Sequence, residues 1–176
     1  MILRFKIEQN DFLAFQLYTV SQSPSVLKTR RRGQIFTTFA ALLLTLNLFV
    51  TGSQIAGSVL LLVSVITYVF YPKFHRWRLK LHFIRYSKKN YGDHFGQEEV
   101  LEIHSNHIIS KNRTGEGTIL ASELELLTEI PGYYFLKMKN GSSIILPKRA
   151  IEESEKMIVE FKKIGVPFEQ KLNWVY

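Results

Sequence analysis

The chain has no cysteine. Disulfides, thiolate catalysis and cysteine-ligated zinc are therefore excluded, and the composition fits a reducing compartment. Acid is missing over a long stretch. From Phe12 to Gly92 there is no Asp or Glu, whereas Lys28, Arg30, Arg31, Arg32, Lys73, Arg76, Arg78, Lys80, Arg85, Lys88 and Lys89 give the stretch a charge of +11. The other 12 basic and 15 acidic residues net −3, so the formal +8 of the 176 residues is a basic central block on a near-neutral remainder. These charges flank apolar runs, as juxtamembrane lysines and arginines do, which argues against nucleic acid as a partner. No apolar core of signal-peptide length precedes Asp11, so a cleaved secretory signal is not expected.

Charge of either sign is absent from Gly33 to Pro72, a run of 40 positions. Within it, Ile35–Val50 and Ile55–Phe70 are two 16-residue apolar segments separated by Thr51-Gly52-Ser53-Gln54, a turn composition. Each is about 24 Å long as helix. Flanking neutral residues and snorkelling Arg32 and Lys73 extend them toward the roughly 30 Å hydrocarbon core. Soluble helices of this length carry a charged face, and these carry none. The expectation is a two-helix transmembrane hairpin. The clusters Lys28, Arg30, Arg31, Arg32 and Lys73, Arg76, Arg78, Lys80 belong on the cytoplasmic side, facing anionic lipid. A hairpin returns both ends to one side, so both termini are expected to be cytoplasmic. Tyr68, Tyr71 and Trp77 fall near that boundary, and Pro72 suits the end of the span or the start of a following helix. Thr37, Ala41 and Thr45 recur once per turn and are candidates for close helix packing, with Asn47 as a polar contact.

Outside this block the pattern changes to period two. Leu3, Phe5 and Ile7 alternate with Arg4, Lys6 and Glu8, which predicts a strand with one buried face. Asn10 or Asp11 is placed to cap a short helix over Phe12–Val20, which Ser21 to Ser25 interrupts. Downstream, His94–His104, His107–Arg113, Glu116–Ala121, Leu124–Ile130, Tyr133–Lys139 and Ser142–Pro147 read as strands separated by Ser-Asn, Thr-Gly, Pro-Gly and Asn-Gly turns. Asn140-Gly141 is the strongest hairpin signal. From Lys148 to Ile164 an amphipathic helix is expected, with Ile151, Met157, Ile158, Phe161 and Ile164 on one stripe. Gly165 ends it.

A lone N-terminal strand needs a partner, and the downstream strands are its only source in the chain. The expected fold is therefore an α+β membrane protein. Its hairpin is inserted into a cytoplasmic, mostly antiparallel β-domain of about seven strands closed by a C-terminal amphipathic helix. The expected divisions are 1–27, a strand and short helix packing on the C-terminal domain; 28–90, the basic-flanked hairpin and a juxtamembrane helix; and 91–176, the β-domain. The juxtamembrane stretch carries Phe74, Trp77, Leu81 and Ile84 on one side, which suits either the bilayer surface or the β-domain.

The order of these parts, with Tyr71-Pro72-Lys73-Phe74 after the second span and Ile145-Leu146-Pro147-Lys148-Arg149-Ala150 before the last helix, resembles the YcxB-like family of bacterial membrane proteins. The resemblance extends over nearly the whole chain. It implies a bacterial inner-membrane protein with a β-domain of pleckstrin-homology-like type, and it implies no activity.

No catalytic constellation is legible. His104 and His107 flank a turn, with Glu102 on the strand beside them, but a metal needs three or four converging ligands. His75 and His82 share a helix face among arginines and lysines that would repel a cation. Gly115-Glu116-Gly117 opens no helix and lacks the context of a phosphate loop. The expectation is a non-enzymatic, membrane-tethered binding or regulatory module without cofactor or metal. Its partners would be the membrane, with its anionic lipids, and a protein or second copy. The alternative is an accessory subunit or homo-oligomer of a larger membrane assembly, in transport or envelope stress.

Overall fold

The computed structural model describes residues 1–92, 95–113 and 115–175. His94, the expected first residue of a strand, and Thr114, in an expected turn, lie outside the described residues. The structure is α+β, with four α-helices and eight strands among the described residues. It divides into two compact units. One joins Met1–Gln16 to Ile84–Tyr176, and the other is Leu17–Phe83.

The first unit is built on two sheets. Strand β1 (Ile2–Lys6) pairs antiparallel with β2 (Glu98–Ile103), which pairs with β3 (His107–Asn112), which pairs with β4 (Gly115–Leu120). Two strands 92 positions apart are thus neighbours, with Leu3 opposite Leu101 and Phe5 opposite Glu99. The second sheet has the order β7 (Ser143–Pro147), β6 (Tyr133–Met138), β5 (Leu124–Ile130), β8 (Phe168–Gln170). The alternation of β1 is realised, with Leu3 and Phe5 buried and their neighbours exposed. They join Leu101, Ile103 and Ile108 of the first sheet and Leu127, Leu136 and Leu146 of the second in one core. Helix α4 (Ser154–Lys163) lays Met157 and Phe161, both fully buried, against it. Burying such side chains contributes roughly 1.5–3 kcal/mol each.

Several features differ from what the sequence predicts. The strands form two four-stranded sheets where about seven strands in one β-domain are expected. An eighth strand, β8, lies parallel to β5, with Leu127 opposite Phe168 and Glu129 opposite Gln170. It is three residues long with a single apolar member, too short for periodicity to reveal. Helix α4 begins at Ser154, because Lys148–Ala150 forms a 3-10 turn and both basic side chains of that turn reach carboxylates elsewhere. The Asn140-Gly141 turn is not a two-residue loop. Only Gly141 has positive φ, +86°, its N–H donates to Met138 O, and the Met138 N–H donates to Ser142 O. That is a type I turn closed by a glycine bulge.

Helix α1 (Gln9–Gln22) starts earlier than expected, with Glu8 O accepting from the N–H groups of Asp11 and Phe12. The Glu8 N–H donates to Asp11 Oδ2 at 2.7 Å, so Asp11 reaches back from the third helical position as in a capping box, and does not itself cap. The last part of α3 also belongs to this unit. Gln9 Nε2 donates to Ile84 O and to Ser87 Oγ, both at 3.2 Å, and Ser87 is fully buried.

The second unit is an antiparallel helix pair, α2 (Pro24–Val50) and α3 (Gln54–Tyr91), the latter continuing past Phe83 into the first unit. Both are longer than the apolar runs. Pro24 opens α2 at a position that needs no N–H donor. The basic clusters stand on helix, not on loops. Helix α3 runs through Pro72 to Tyr91 without interruption, so the expected juxtamembrane helix is its continuation. Near the turn the Phe49 ring lies over Gly57, where an added Cβ would come within 3.1 Å. At the open end Tyr71 Oη lies against Gly33, and Gln34 Nε2 donates to Tyr68 O at 3.1 Å.

Candidate functional site

The Pro147-Lys148-Arg149-Ala150 segment follows β7, and its two cations diverge. Arg149 takes Asp11 with two bonds of 2.6 Å, Nη1 to Oδ1 and Nη2 to Oδ2, and Nη2 also donates to Lys6 O at 3.2 Å. Glu8 adds a third carboxylate oxygen at 3.4 Å. Asp11 is 1% exposed. Burial alone would raise its carboxyl, but the hydrogen bonds from Arg149, the Glu8 N–H and the Tyr133 hydroxyl hold it below the usual aspartate value. Arg149 is in turn held more firmly protonated. Lys148 reaches Glu129, another buried acid, which also accepts from Gln170 Nε2 at 2.8 Å and from the Tyr134 hydroxyl at 3.3 Å. Burial works against the charge of Glu129, and these donors outweigh it and lower its pKa. Two successive cations thus neutralise two buried acids, one on α1 and one on β5. The pattern is structural: it ties the N-terminal segment and β8 to the body of the unit. The motif itself does not disclose these acids, because both partners are remote in the chain.

Beside this clasp is a cleft of about 230 Å³ lined by Ile7, Phe12, Tyr91, Phe95, Glu99, Ser143, Ile144 and Ile145. Its walls are mostly apolar, with the Glu99 carboxylate and the hydroxyls of Tyr91 and Ser143 as polar groups. The Phe12 ring is 4.8 Å from Tyr91 and 6.1 Å from Phe95 between centroids. Asp11 on Arg149 fixes the turn of α1 that delivers Phe12 here. No local sequence pattern marks this cleft, because its walls come from separate stretches of the chain.

His104 and His107 do meet. Their rings stack with centroids 4.7 Å apart and 11° between planes. His104 Nε2 lies 3.5 Å from Glu102, whose main partner is Lys111 at 2.9 Å. No group of three or more His, Asp or Glu able to hold a metal occurs among the described residues. The Gly115-Glu116-Gly117 stretch is part of β4.

In the helical unit the residues named for close packing separate. Thr45 is buried and Ala41 half-buried, while Thr37 and Asn47 are exposed. Thr37 Oγ1 donates within its own helix, to Gly33 O and Gln34 O. The seam follows Gln34, Thr38, Ala41, Thr45 and Leu48 on α2 and Gly57, Leu60, Ser64 and Tyr71 on α3. Steps of three and four, with sevenfold recurrences, are those of a left-handed helix pair. Most of the other apolar side chains between Ile35 and Phe70 are exposed; Phe36 is 72% and Ile55 84% exposed. Lys28, Arg31, Arg32, Lys73, Arg76, Arg78 and Lys80 are also exposed, and Arg30 is half-buried.

The chain is thus an α+β protein in which two helices, each long and apolar enough to cross a membrane, are inserted between the first two strands of a β unit. Residues 103–164, from the end of β2 past α4, match the family model of YcxB-like proteins. Lys148 and Arg149 fall inside the matched segment; Asp11 and the helix pair fall outside it. No curated protein and no solved structure matches the chain.

Proposed function

We propose that this chain is a non-enzymatic, membrane-tethered binding module of the bacterial inner membrane, with both termini in the cytoplasm. The observation that carries the reading is the outward face of the helix pair. Large apolar side chains from Ile35 to Phe70 are exposed there, with no charge among them, and every flanking charge is positive. Water does not tolerate so continuous an apolar surface, and a bilayer covers it. The positive flanks support an open end on the cytoplasmic side. Two four-stranded sheets followed by a helix support a pleckstrin-homology-like reading of the β unit. Its cleft at Phe12, Tyr91 and Phe95 is the surface offered to an apolar group of a partner.

The absence of cysteine makes the test direct. Ser53→Cys, in the turn, is expected to react with an impermeant maleimide on intact spheroplasts, and Arg113→Cys only after permeabilisation. The opposite pattern, or recovery of the chain in the soluble fraction, overturns the topology. A photo-crosslinker at Ile144, in the cleft, is expected to capture a protein or lipid that the same probe at exposed Leu120 does not. Equal capture at both removes the binding reading. Asn47 favours a second reading, a subunit of a larger assembly, because an exposed amide on an apolar helix face suits a contact with another helix.

A further inference from the structure

The whole net charge of the chain resides on the helical unit. Leu17–Phe83 contains eight Lys and Arg and no acid, whereas the fifteen basic residues of the other unit balance its fifteen acids. The eight cations therefore have no carboxylate within their own unit. They are not equivalent. Arg30 is half-buried, while Lys28, Arg31 and Arg32, next to it on α2, are exposed. On α3 the His75 ring stacks on Tyr71, with centroids 6.3 Å apart, and Tyr71 in turn lies against Gly33 of α2. This brings α2 and α3 together one turn from Arg30. His75, Arg78, Leu79 and His82, at successive turns of one face, line a cleft of about 300 Å³. Burial, then Arg30 and Arg78, hold the His75 imidazole below its ordinary basicity. Two fixed positive charges, one on each helix, therefore act on the His75 imidazole and disfavour its protonated form.

The unit itself offers Arg30 and Arg78 no carboxylate, and an anion suits the cleft beside them. Guanidinium forks match phosphate oxygens, and a neutral imidazole donates one hydrogen bond. The cleft begins five residues beyond Phe70, the end of the proposed span, with exposed Phe74 and Trp77 beside it. That is headgroup depth for a helix leaving a bilayer. We propose that Arg30, His75, Arg78 and His82 form a discrete site for the phosphate of an anionic phospholipid headgroup. The site rests on the membrane reading above.

The test is native mass spectrometry of the full chain in mild detergent with phosphatidylglycerol, phosphatidylcholine or inorganic phosphate. Retention of phosphatidylglycerol over phosphatidylcholine is expected. Arg30→Gln with Arg78→Gln should lower it about tenfold, the scale of one or two charge-assisted hydrogen bonds. The charge-matched Arg31→Gln with Arg32→Gln should leave it within about twofold. Arg78→Gln alone, at an exposed position, should give a smaller loss of the same sign. Equal loss in the two double variants, or none in the single one, means diffuse attraction and overturns the site. Inorganic phosphate bound as well as the lipid overturns the lipid source. Carbonate extraction separates the two ideas: a chain that stays with the membrane but shows no lipid selectivity loses the site alone, and a chain that leaves the membrane loses the reading beneath it.

Discussion

Asp11 and Arg149, 138 positions apart, are joined by two hydrogen bonds of 2.6 Å each, and the carboxylate is almost wholly buried. A pair of this kind specifies more than it stabilises, since its desolvation cost offsets much of its attraction. Removing one member is different, because the survivor keeps its cost and loses its partner. Arg149→Ala is expected to destabilise the β unit by about 2 kcal/mol, at the low end for such a loss because the guanidinium is half exposed to water. Arg149→Ala in an Asp11→Asn background should cost clearly less. Urea denaturation of the four proteins of the cycle measures the coupling.

Acid should act through the same groups. Asp11 and Glu129 both have depressed pKa values in the folded chain, relative to 3.8 and 4.5. A depressed carboxyl binds its proton more readily when unfolded. Its contribution is therefore complete above the ordinary value and is lost as pH falls through the folded one. Stability is expected to be insensitive to these two groups above about pH 5.5 and to decline below pH 4.5. Asp11→Asn should flatten that decline. Lys148→Met should shift it to higher pH, because burial is the largest influence on Glu129 and would then act with less opposition. Thermal melts between pH 3 and 7 decide the direction.

How far this was readable from the chain depends on the range of the signal. Leu124–Ile130 coincides with β5, and the other expected strands agree with theirs to within a few residues, because alternation is local. The pairing of β1 with β2 followed from a local fact plus a need: a lone strand at Leu3 must find an edge. The acids opposite Lys148 and Arg149 were illegible, since nothing in Ile-Leu-Pro-Lys-Arg-Ala states which carboxylates it meets. The cleft was hidden for the same reason, its walls coming from six separate stretches. On α2, steps of four from Thr37 drift off the seam, because a helix pair follows a 3.5-residue repeat; only Ala41 and Thr45 fall on both patterns.

The turns offer a contrast between glycines. Gly132 and Gly141 have φ of +86°, where a Cβ is unwelcome whatever the space around it. Gly132→Ala and Gly141→Ala are each expected to cost about 1–2 kcal/mol. Gly117, in β4, has ordinary φ and nothing within 4 Å of an added Cβ. Gly117→Ala is expected to be neutral or to stabilise by up to about 1 kcal/mol through the unfolded chain. Denaturation midpoints of the three variants give the comparison directly.

The helix seam sets the last expectation. Thr45 and Ser64 are 4% and 5% exposed, and each hydroxyl is returned to its own helix, Thr45 to Ala41 O at 2.9 Å and Ser64 to Leu60 O at 2.7 Å. Satisfied in this way, they act as small residues that let two backbones approach. Thr45→Leu or Ser64→Leu adds volume where there is none and should cost about 1–3 kcal/mol. Thr37→Leu, outward on α2, should leave the pair intact. Thermal stability of the full chain in detergent separates these positions, and native mass spectrometry adds a second readout. If Thr37→Leu or Asn47→Leu abolishes an oligomer while the melting temperature of the pair holds, the outward face of α2 is an interface between chains. A monomer indifferent to both would leave that face to lipid alone.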